Sequence, residues 1–537
     1  MTNREIASMF NELAVMLELH EENEFKIKTY ANAYLALRKL DINLLEQSKE
    51  ENKTIRGIGA SIADKIEEIK LTSTFAAYEE MKAKTPEGIR QIIKIKGLGP
   101  KKVKAIWRDL GIESIGELLY ACQENRLLKL KGFGQKLQDE VIANIQFLTA
   151  NQHLYLFPYL EIVASEIYKS LVELNPNARI EWTGEFRKRV QVLDKLEVVS
   201  DVQLMKSDAF TPHTNGHFLY LDRYPICFYH ADTSSFEKEL CLSTLGSDEF
   251  MSIVNQASFP DNATELEFIQ SVFGKWIPAE CRDLSSWNDF NADLLVDDHS
   301  IKGVVHNHST YSDGLYSIRE MALECIRLGY EYFVISDHSK TASYANGLSI
   351  EHVEMQWREI EQLNKELSPF KIFKSIESDI LGNGDLDYDA DILSQFDLVI
   401  ASIHQNLNMD MDKAMSRLIT AIENPFTRIL GHPTGRLLLS RKGYPVDFKK
   451  LIDACAANGV VVELNANPYR LDIDSTHIEY AQERQVLVSI NPDAHNLKAI
   501  QDIKYGIQAA RRGGLRKSNC LNTNNLENFE VWIKSKK

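Results

Sequence analysis

The sequence predicts a multidomain protein with an all-α N-terminal region, a mixed α+β middle and a C-terminal α/β barrel. Three patterns predict this. Residues 1–150 place apolar residues at helical spacing, as in ASMFNELAVMLEL and KKVKAIWRDLGI, with short Gly-containing turns between. The middle alternates apolar and polar residues like strands, in RVQVLDKLEVVSDVQLM and HFLYLDRYPICFYHAD. After Ile301 short apolar runs alternate with amphipathic helices: GVVHNHS, YFVISDH, LVIASIH, RILGHP, VVVELNA and VLVSINPDAH. That repetition reads as a parallel α/β barrel, whose chemistry sits just after the strands. At 537 residues, two to four domains are expected.

In the N-terminal region three turns share one pattern, Gly-apolar-Gly before a helix: Gly57 and Gly59, Gly97 and Gly99, Gly132 and Gly134. Such glycines permit a tight turn and leave backbone N–H groups at a helix N-terminus, where a phosphate oxygen can bind. Lys101, Lys102 and Lys136 follow the second and third turns. The segment Gly88–Arg108 carries seven basic residues and no acidic one. The three turns resemble tandem helix-hairpin-helix motifs, which grip the DNA backbone without reading sequence; a purely structural role is the alternative. The net charge of −16 does not decide against DNA, because charge is local and a metal site itself needs carboxylates. Seven scattered cysteines without a CxxC pair argue against disulfides and zinc ribbons and for a reducing cytoplasm. No signal pattern or bilayer-length apolar run is present, so no membrane association is expected.

The first 290 residues resemble a family X DNA polymerase. Lys65, in ASIADKIEEI, matches the family's Schiff-base lysine for removing a 5′-deoxyribose phosphate; the competing reading is a solvated lysine paired with Glu68. The family holds two metal ions with three aspartates, two as Asp-x-Asp on a strand, after a Gly-Ser-Phe-Arg-Arg stretch at the nucleotide phosphates. Here TGEFRKRVQVLDKLEVV keeps Gly184, Phe186 and Arg187 but has Glu185 at the serine position. The aspartate positions fall on Lys195 and Glu197, and the third falls near Cys227. Asp194 stands three residues from Glu197, a spacing that does not share a strand face. A palm without its carboxylates is expected to be catalytically dead and kept as a DNA-binding scaffold.

The barrel carries the strongest signal. His306 and His308 are two apart after a strand, with Asp313 following. His338 comes after the next strand, then Glu377, His404, His432, and the pair Asp493 and His495. Burying so many polar groups is costly unless they are paired or coordinated. Imidazole and carboxylate without thiolate suit Mn²⁺, Zn²⁺ or Fe²⁺, and nine ligands point to about three divalent ions. This pattern resembles the polymerase and histidinol phosphatase (PHP) domain, in the version fused to bacterial family X polymerases. Val304 departs from the family's usual Asp, and Asn491-Pro492 precedes Asp493, but neither removes a ligand.

The resemblance implies five segments: a lyase-like helical domain (1–82), a fingers-like helix-hairpin-helix domain (83–150), a degenerate nucleotidyltransferase-like palm (151–230), a thumb-like domain with a linker over Leu284–Ser300 (231–295), and a PHP phosphoesterase domain (296–537). In that chemistry activated water attacks phosphorus in line, with Glu377 bridging ions and Asp493 beside them. Arg436 and Arg470 could clamp the phosphate, or instead pair with carboxylates such as Asp472. The implied function is a DNA-repair 3′→5′ exonuclease, extending to abasic-site cleavage and 3′-end trimming, acting as a monomer on gapped, primer-terminus or damaged DNA. An active polymerase/exonuclease, a histidinol-phosphate-type phosphatase and a non-catalytic DNA scaffold are the alternatives.

Overall fold

The computed structural model describes residues 1–40, 42–123, 126–150 and 153–535. They form two compact units, Met1–Gln152 and His153–Lys537.

The first unit is helical, as the periodicity predicts. Helices α1 (Asn3–Leu19), α2 (Glu24–Leu37), α3 (Lys49–Thr54), α4 (Ala60–Thr72) and α5 (Ala76–Lys84) enclose one core. Phe10, Leu13, Leu37, Ile62, Ile66 and Phe75 fill it. Helices α6 (Glu87–Ile92), α7 (Pro100–Leu110), α8 (Ile115–Gln123) and α9 (Gln135–Ala150) enclose a second, around Ile89, Val103, Ile106, Leu118 and Val141. Leu19, the last residue of α1, packs into this second core and joins the two. Thr2 and Glu5 start α1 with a reciprocal capping box.

The second unit begins with strand β1 (Tyr155–Leu156), helix α10 (Phe157–Leu174), strand β2 (Ile180–Trp182), the short helix α11 (Gly184–Arg187), and strand β3 (Val192–Leu193), which pairs with β1. Strands β4 (Leu196–Ser200), β5 (Phe210–Pro212), β6 (Phe218–Tyr220) and β7 (Tyr224–His230) complete a mixed sheet of order β2-β4-β7-β6-β5. The strand-like text at 190–205 thus yields only β3 and β4, and the chain turns irregular after Ser200. Helices α12 (Phe236–Leu242), α13 (Asp248–Asn255) and α14 (Glu265–Phe273) follow. Glu265 there lies between two arginines, 2.8 Å from Arg282 Nη2 and 2.5 Å from Arg187 Nη2, and Arg282 is fully buried.

The expected linker, Leu284–Ser300, is not one. Leu284, Trp287 and Leu295 are buried in the core beneath α13 and α14, and Val296 reaches the barrel core. Its Asp and Asn residues start short 3₁₀ turns with their own side chains, while Leu284, Trp287, Leu295 and Val296 between and beside them are buried.

The barrel comprises β8 (Gly303–Val304), β9 (Tyr332–Ile335), β10 (Lys371–Asp379), β11 (Leu398–Ser402), β12 (Thr427–Leu430), β13 (Val461–Asn465) and β14 (Val488–Asn491), all parallel and in sequential order. Nearly every strand residue is buried, as expected of parallel strands covered by helices. The edges β8 and β14 meet without a continuous ladder. Asn522 closes the gap: its side chain accepts from Ile490 N and donates to Gly303 O and Ile490 O. His308 N donates to Ala494 O just beyond the strand ends. Every ligand expected from the sequence therefore emerges at the C-terminal rim of one barrel.

Candidate metal centre and nucleic-acid interface

Glu377, near the end of β10, is the middle of the site. Its carboxylate lies 3.3 Å from His306 Nε2, 3.7 Å from His308 Nε2, 2.9 Å from His338 Nδ1, 3.1 Å from His404 Nε2 and 3.0 Å from His432 Nε2. Asp493 stands 3.0 Å from His308 Nε2, and Asp313 3.2 Å from His495 Nε2. All nine expected ligands converge. Three sets have ligand atoms close enough to share an ion: His308, Asp313, His338 and His495; His306, His308 and Asp493; and His338, Glu377 and His404. His432 joins none of these sets but touches Glu377. The floor is buried, with His306 fully enclosed, and the rim opens at His495, whose side chain is 35% exposed.

The way His306 and His308 come together differs from the simple strand expectation. Strand β8 ends at Val304, and His306 adopts a left-handed backbone, φ 62°. Asp493 does the same after β14, φ 51°. Backbone conformations of this kind cost energy in L-residues and concentrate where function demands them.

A second layer of groups orients the ligands. Glu463 Oε2, fully buried on β13, lies 2.6 Å from His306 Nδ1 and accepts from Asn491 Nδ2 at 2.8 Å; Glu463 Oε1 accepts from His432 N. Asp379 Oδ1 lies 2.5 Å from His404 Nδ1. Asn465 donates to Asp493 Oδ2. Asp337 receives Ser309 N, Ser309 Oγ, Ser312 Oγ and Gln356 Nε2, fastening the loop that leads to Asp313. Such partners fix ring orientation and tautomer. Sequence reasoning missed Glu463 and Asp379. A lone carboxylate inside VVELN, an otherwise apolar barrel strand, was the available signal.

The electrostatics follow from crowding acids and imidazoles in a buried cup. Burial opposes a charged His306, but Glu463, Glu377 and Asp493 outweigh it and raise its pKa well above the ordinary range. His404, against burial, is raised to about 10 by Glu377 and Asp379, and His495 to about 9 by Asp313 and Asp493. His308 goes the other way, to about 3, through burial and the neighbouring His495 and His338. Glu377 and Asp493 resist burial because the surrounding imidazoles hold them well below the carboxylate range.

The residues fit divalent ions. His306 Nε2, His308 Nδ1, His432 Nδ1 and Glu377 Oε2 are buried without a hydrogen-bond partner among the described residues. Orphaned lone pairs of that kind are costly in a native fold and are satisfied by coordination.

The two arginines separate. Arg436 spends its guanidinium on Arg470 O, Leu471 O, Asp474 and Gln191 Oε1, so it braces the 470–474 turn and does not reach out as a phosphate clamp. Arg470 Nε stands 3.8 Å from Asp493 Oδ2 at the rim. The expected partner Asp472 instead receives Thr434 N and Oγ1.

In the mixed sheet, Glu197 on β4 pairs in register with Cys227 on β7, where the sequence count placed two of the three family aspartates. Lys195 Nζ lies 3.1 Å from Glu197 Oε1, and Tyr229 Oη donates to the same oxygen. The Glu197 carboxylate presses on Gly184 so closely that a Cβ there would meet Oε2 at 1.9 Å. Asp194 lies just before β4, outside the strand-face argument. With burial, Asp194 and Glu197 outweigh Lys188 and raise the Glu185 pKa.

The three glycine turns share one geometry. Gly57, Gly97 and Gly132 have φ of 95°, 90° and 86°, and the apolar residues between the glycines, Ile58, Leu98 and Phe133, are buried. Gly59 and Gly99 are the N-caps of α4 and α7 and supply no side-chain cap, and α7 opens with Pro100, which has no N–H of its own. Lys101 is exposed, whereas Lys102 Nζ folds back to Gly97 O at 3.1 Å. Lys65 does not pair with Glu68, which instead accepts from Ala76 N; its ammonium sits by Ser61 and over the Tyr30 ring.

Comparison with known proteins agrees with this anatomy. A helix-hairpin-helix domain family matches residues 1–75, and a SAM-like helix-hairpin-helix tandem family matches residues 89–146. The chain is 30% identical to the DNA polymerase/3′-5′ exonuclease PolX of Bacillus subtilis strain 168, over 99% of this chain and 100% of that protein. A probable phosphatase of Thermoanaerobacter sp. strain X514 is 25% identical over 243 residues, covering 43% of this chain and 94% of that protein. A probable phosphatase of Caldanaerobacter subterraneus subsp. tengcongensis is 27% identical over 201 residues, 35% of this chain and 74% of that protein.

Proposed function

Because this chain belongs to the PolX family of DNA polymerase/3′-5′ exonucleases, we propose that it is a metal-dependent 3′→5′ exonuclease of DNA whose polymerase half no longer polymerises. The observation that carries the reading is the contrast between its two sites. The barrel rim gathers nine candidate ligands, Glu377 central among them, whereas the palm holds a lysine–glutamate ion pair and a cysteine where two metals would need carboxylates.

About three ions, Mn²⁺ or Zn²⁺ with Fe²⁺ as a further candidate, suit the three overlapping ligand sets. When bound, they supply Lewis-acid activation of water and stabilisation of the leaving oxygen. The chain's own groups do the rest. Glu377 and Asp493 place negative charge between the imidazoles, and Glu463 and Asp379 hold His306 and His404 in fixed orientation. Arg470, 3.8 Å from Asp493 Oδ2, is a cation that would meet a phosphate oxygen of the substrate. The glycine turns would hold the backbone of gapped, primer-terminus or damaged DNA through helix N-termini.

The test is a 5′-labelled gapped duplex incubated with the full chain and Mn²⁺, with and without nucleotides. Shortening of the labelled strand is expected, abolished in His306→Ala/His308→Ala. Extension of the primer would overturn the inactive-palm reading, and nuclease activity surviving in the double variant would overturn the site.

A further inference from the structure

The palm-like domain reaches the rim of the metal centre. Tyr159, on the first turn of α10, makes a hydroxyl-to-hydroxyl hydrogen bond with Tyr469, and their rings meet edge to face at 6.0 Å between centroids. Tyr469 immediately precedes Arg470, whose guanidinium lies 3.8 Å from the ligand Asp493. The turn carrying both is braced from behind: Arg436 holds the carbonyls of Arg470 and Leu471, and Leu438 N donates to Tyr469 O. Helix α10 is itself anchored to the barrel side, because Glu161 accepts from Lys504 Nζ and Tyr505 Oη. Gln191, just before β3, accepts from Arg436 Nη2. Tyr159 nevertheless remains 45% exposed, a large amphipathic side chain whose hydroxyl is spent on the barrel.

An aromatic pair beside Arg470, with Tyr159 exposed and Tyr469 partly buried beneath it, matches the chemistry of single-stranded nucleic acid recognition, in which bases stack on rings while cations take the phosphates. We propose that Tyr159 and Tyr469 form a stacking platform for the base at a DNA 3′ end, so that the palm-like domain completes the substrate site of the barrel. This rests on the exonuclease reading above. It assigns the polymerase-like half a direct contact with the nuclease substrate that needs none of the palm's missing carboxylates. Stacking of this kind tolerates any base, which suits an enzyme that must accept each new terminus in turn.

The test uses the full chain and a single-stranded oligonucleotide with 2-aminopurine at its 3′ end, titrated in EDTA so that nothing is cleaved. Binding to the wild-type chain is expected to quench the terminal 2-aminopurine. Tyr159→Ala is expected to weaken binding about ten-fold and abolish the quench, while Tyr159→Phe, which keeps the ring and loses the hydroxyl, retains both. Equal quenching and affinity in Tyr159→Ala would overturn the platform. So would a loss shared by Tyr159→Phe, which would trace the effect to the hydroxyl tie between the two domains. The same oligonucleotide is then given Mn²⁺. Tyr159-dependent quenching without degradation would sink the exonuclease reading and leave the platform standing. Degradation with Tyr159-independent quenching would do the reverse.

Discussion

Glu377 is reached by five imidazoles, and it and Asp493 are each buried among positive or potentially positive rings. Its replacement by Gln keeps the volume and removes the charge that those rings surround; loss of bound metal and of at least about 1,000-fold in nuclease rate is expected, read by metal analysis beside the labelled-duplex assay. Glu463→Gln leaves every ligand in place and loosens the hydrogen bond to His306, so a fall of about 10–100-fold in metal affinity is expected from a titration. Proton linkage gives a third outcome. His404 titrates near 10 in the metal-free chain because Glu377 and Asp379 overcome its burial. Its folded pKa exceeds the unfolded value near 6.5, so the stability it adds is complete below about pH 6.5 and is lost as pH rises through about 10. The chelated protein should therefore melt at falling temperature over that interval. Uptake of Zn²⁺ at pH 7.5 should release protons into a weakly buffered indicator solution. Away from the metals, Glu265 is the shared counter-ion of two arginines, one fully buried. Glu265→Ala strands both, and a loss of about 3–5 kcal/mol in urea unfolding is expected.

At the scale of elements, the hairpins and the barrel strands show how far local pattern reaches. Gly-apolar-Gly before a helix was legible because it states its own backbone: the first glycine needs positive φ, the middle residue needs burial, and the second starts the helix. Gly132 has open space where a Cβ would go, so Gly132→Ala should cost only the conformational strain, about 1 kcal/mol. At Gly57 the added Cβ would also meet Ala36 Cβ at 2.8 Å, and thermal melting should fall further. Segment 284–300 was misread because its polar residues dominate the text, whereas its sparse apolar residues, Leu284, Trp287 and Leu295, decide its place. Glu463 escaped notice because one carboxylate in an apolar strand has no periodicity to announce it.

At the scale of the molecule, the cores are partitioned. The two helical cores lie wholly within Met1–Gln152, and all nine candidate ligands lie in the other unit. Residues 153–537 alone should keep metal binding and cleave DNA with a higher KM. The slope of log affinity against log salt should be shallower than for the full chain, since the glycine turns and the basic segment Gly88–Arg108 are gone. A truncated chain with the full chain's salt slope would remove the first unit from DNA binding.

The candidate ligand set, the three hairpins and the altered palm positions were legible in the chain, because residue type and spacing along a strand or turn are local properties. The fold in three dimensions settles which carboxylates stand behind the histidines, that Arg436 is spent on a turn while Arg470 lies beside Asp493, and that Tyr159 meets Tyr469. Those pairings join residues up to 310 positions apart, and their partners are chosen by how the barrel closes and where α10 docks, which spacing in the chain does not encode.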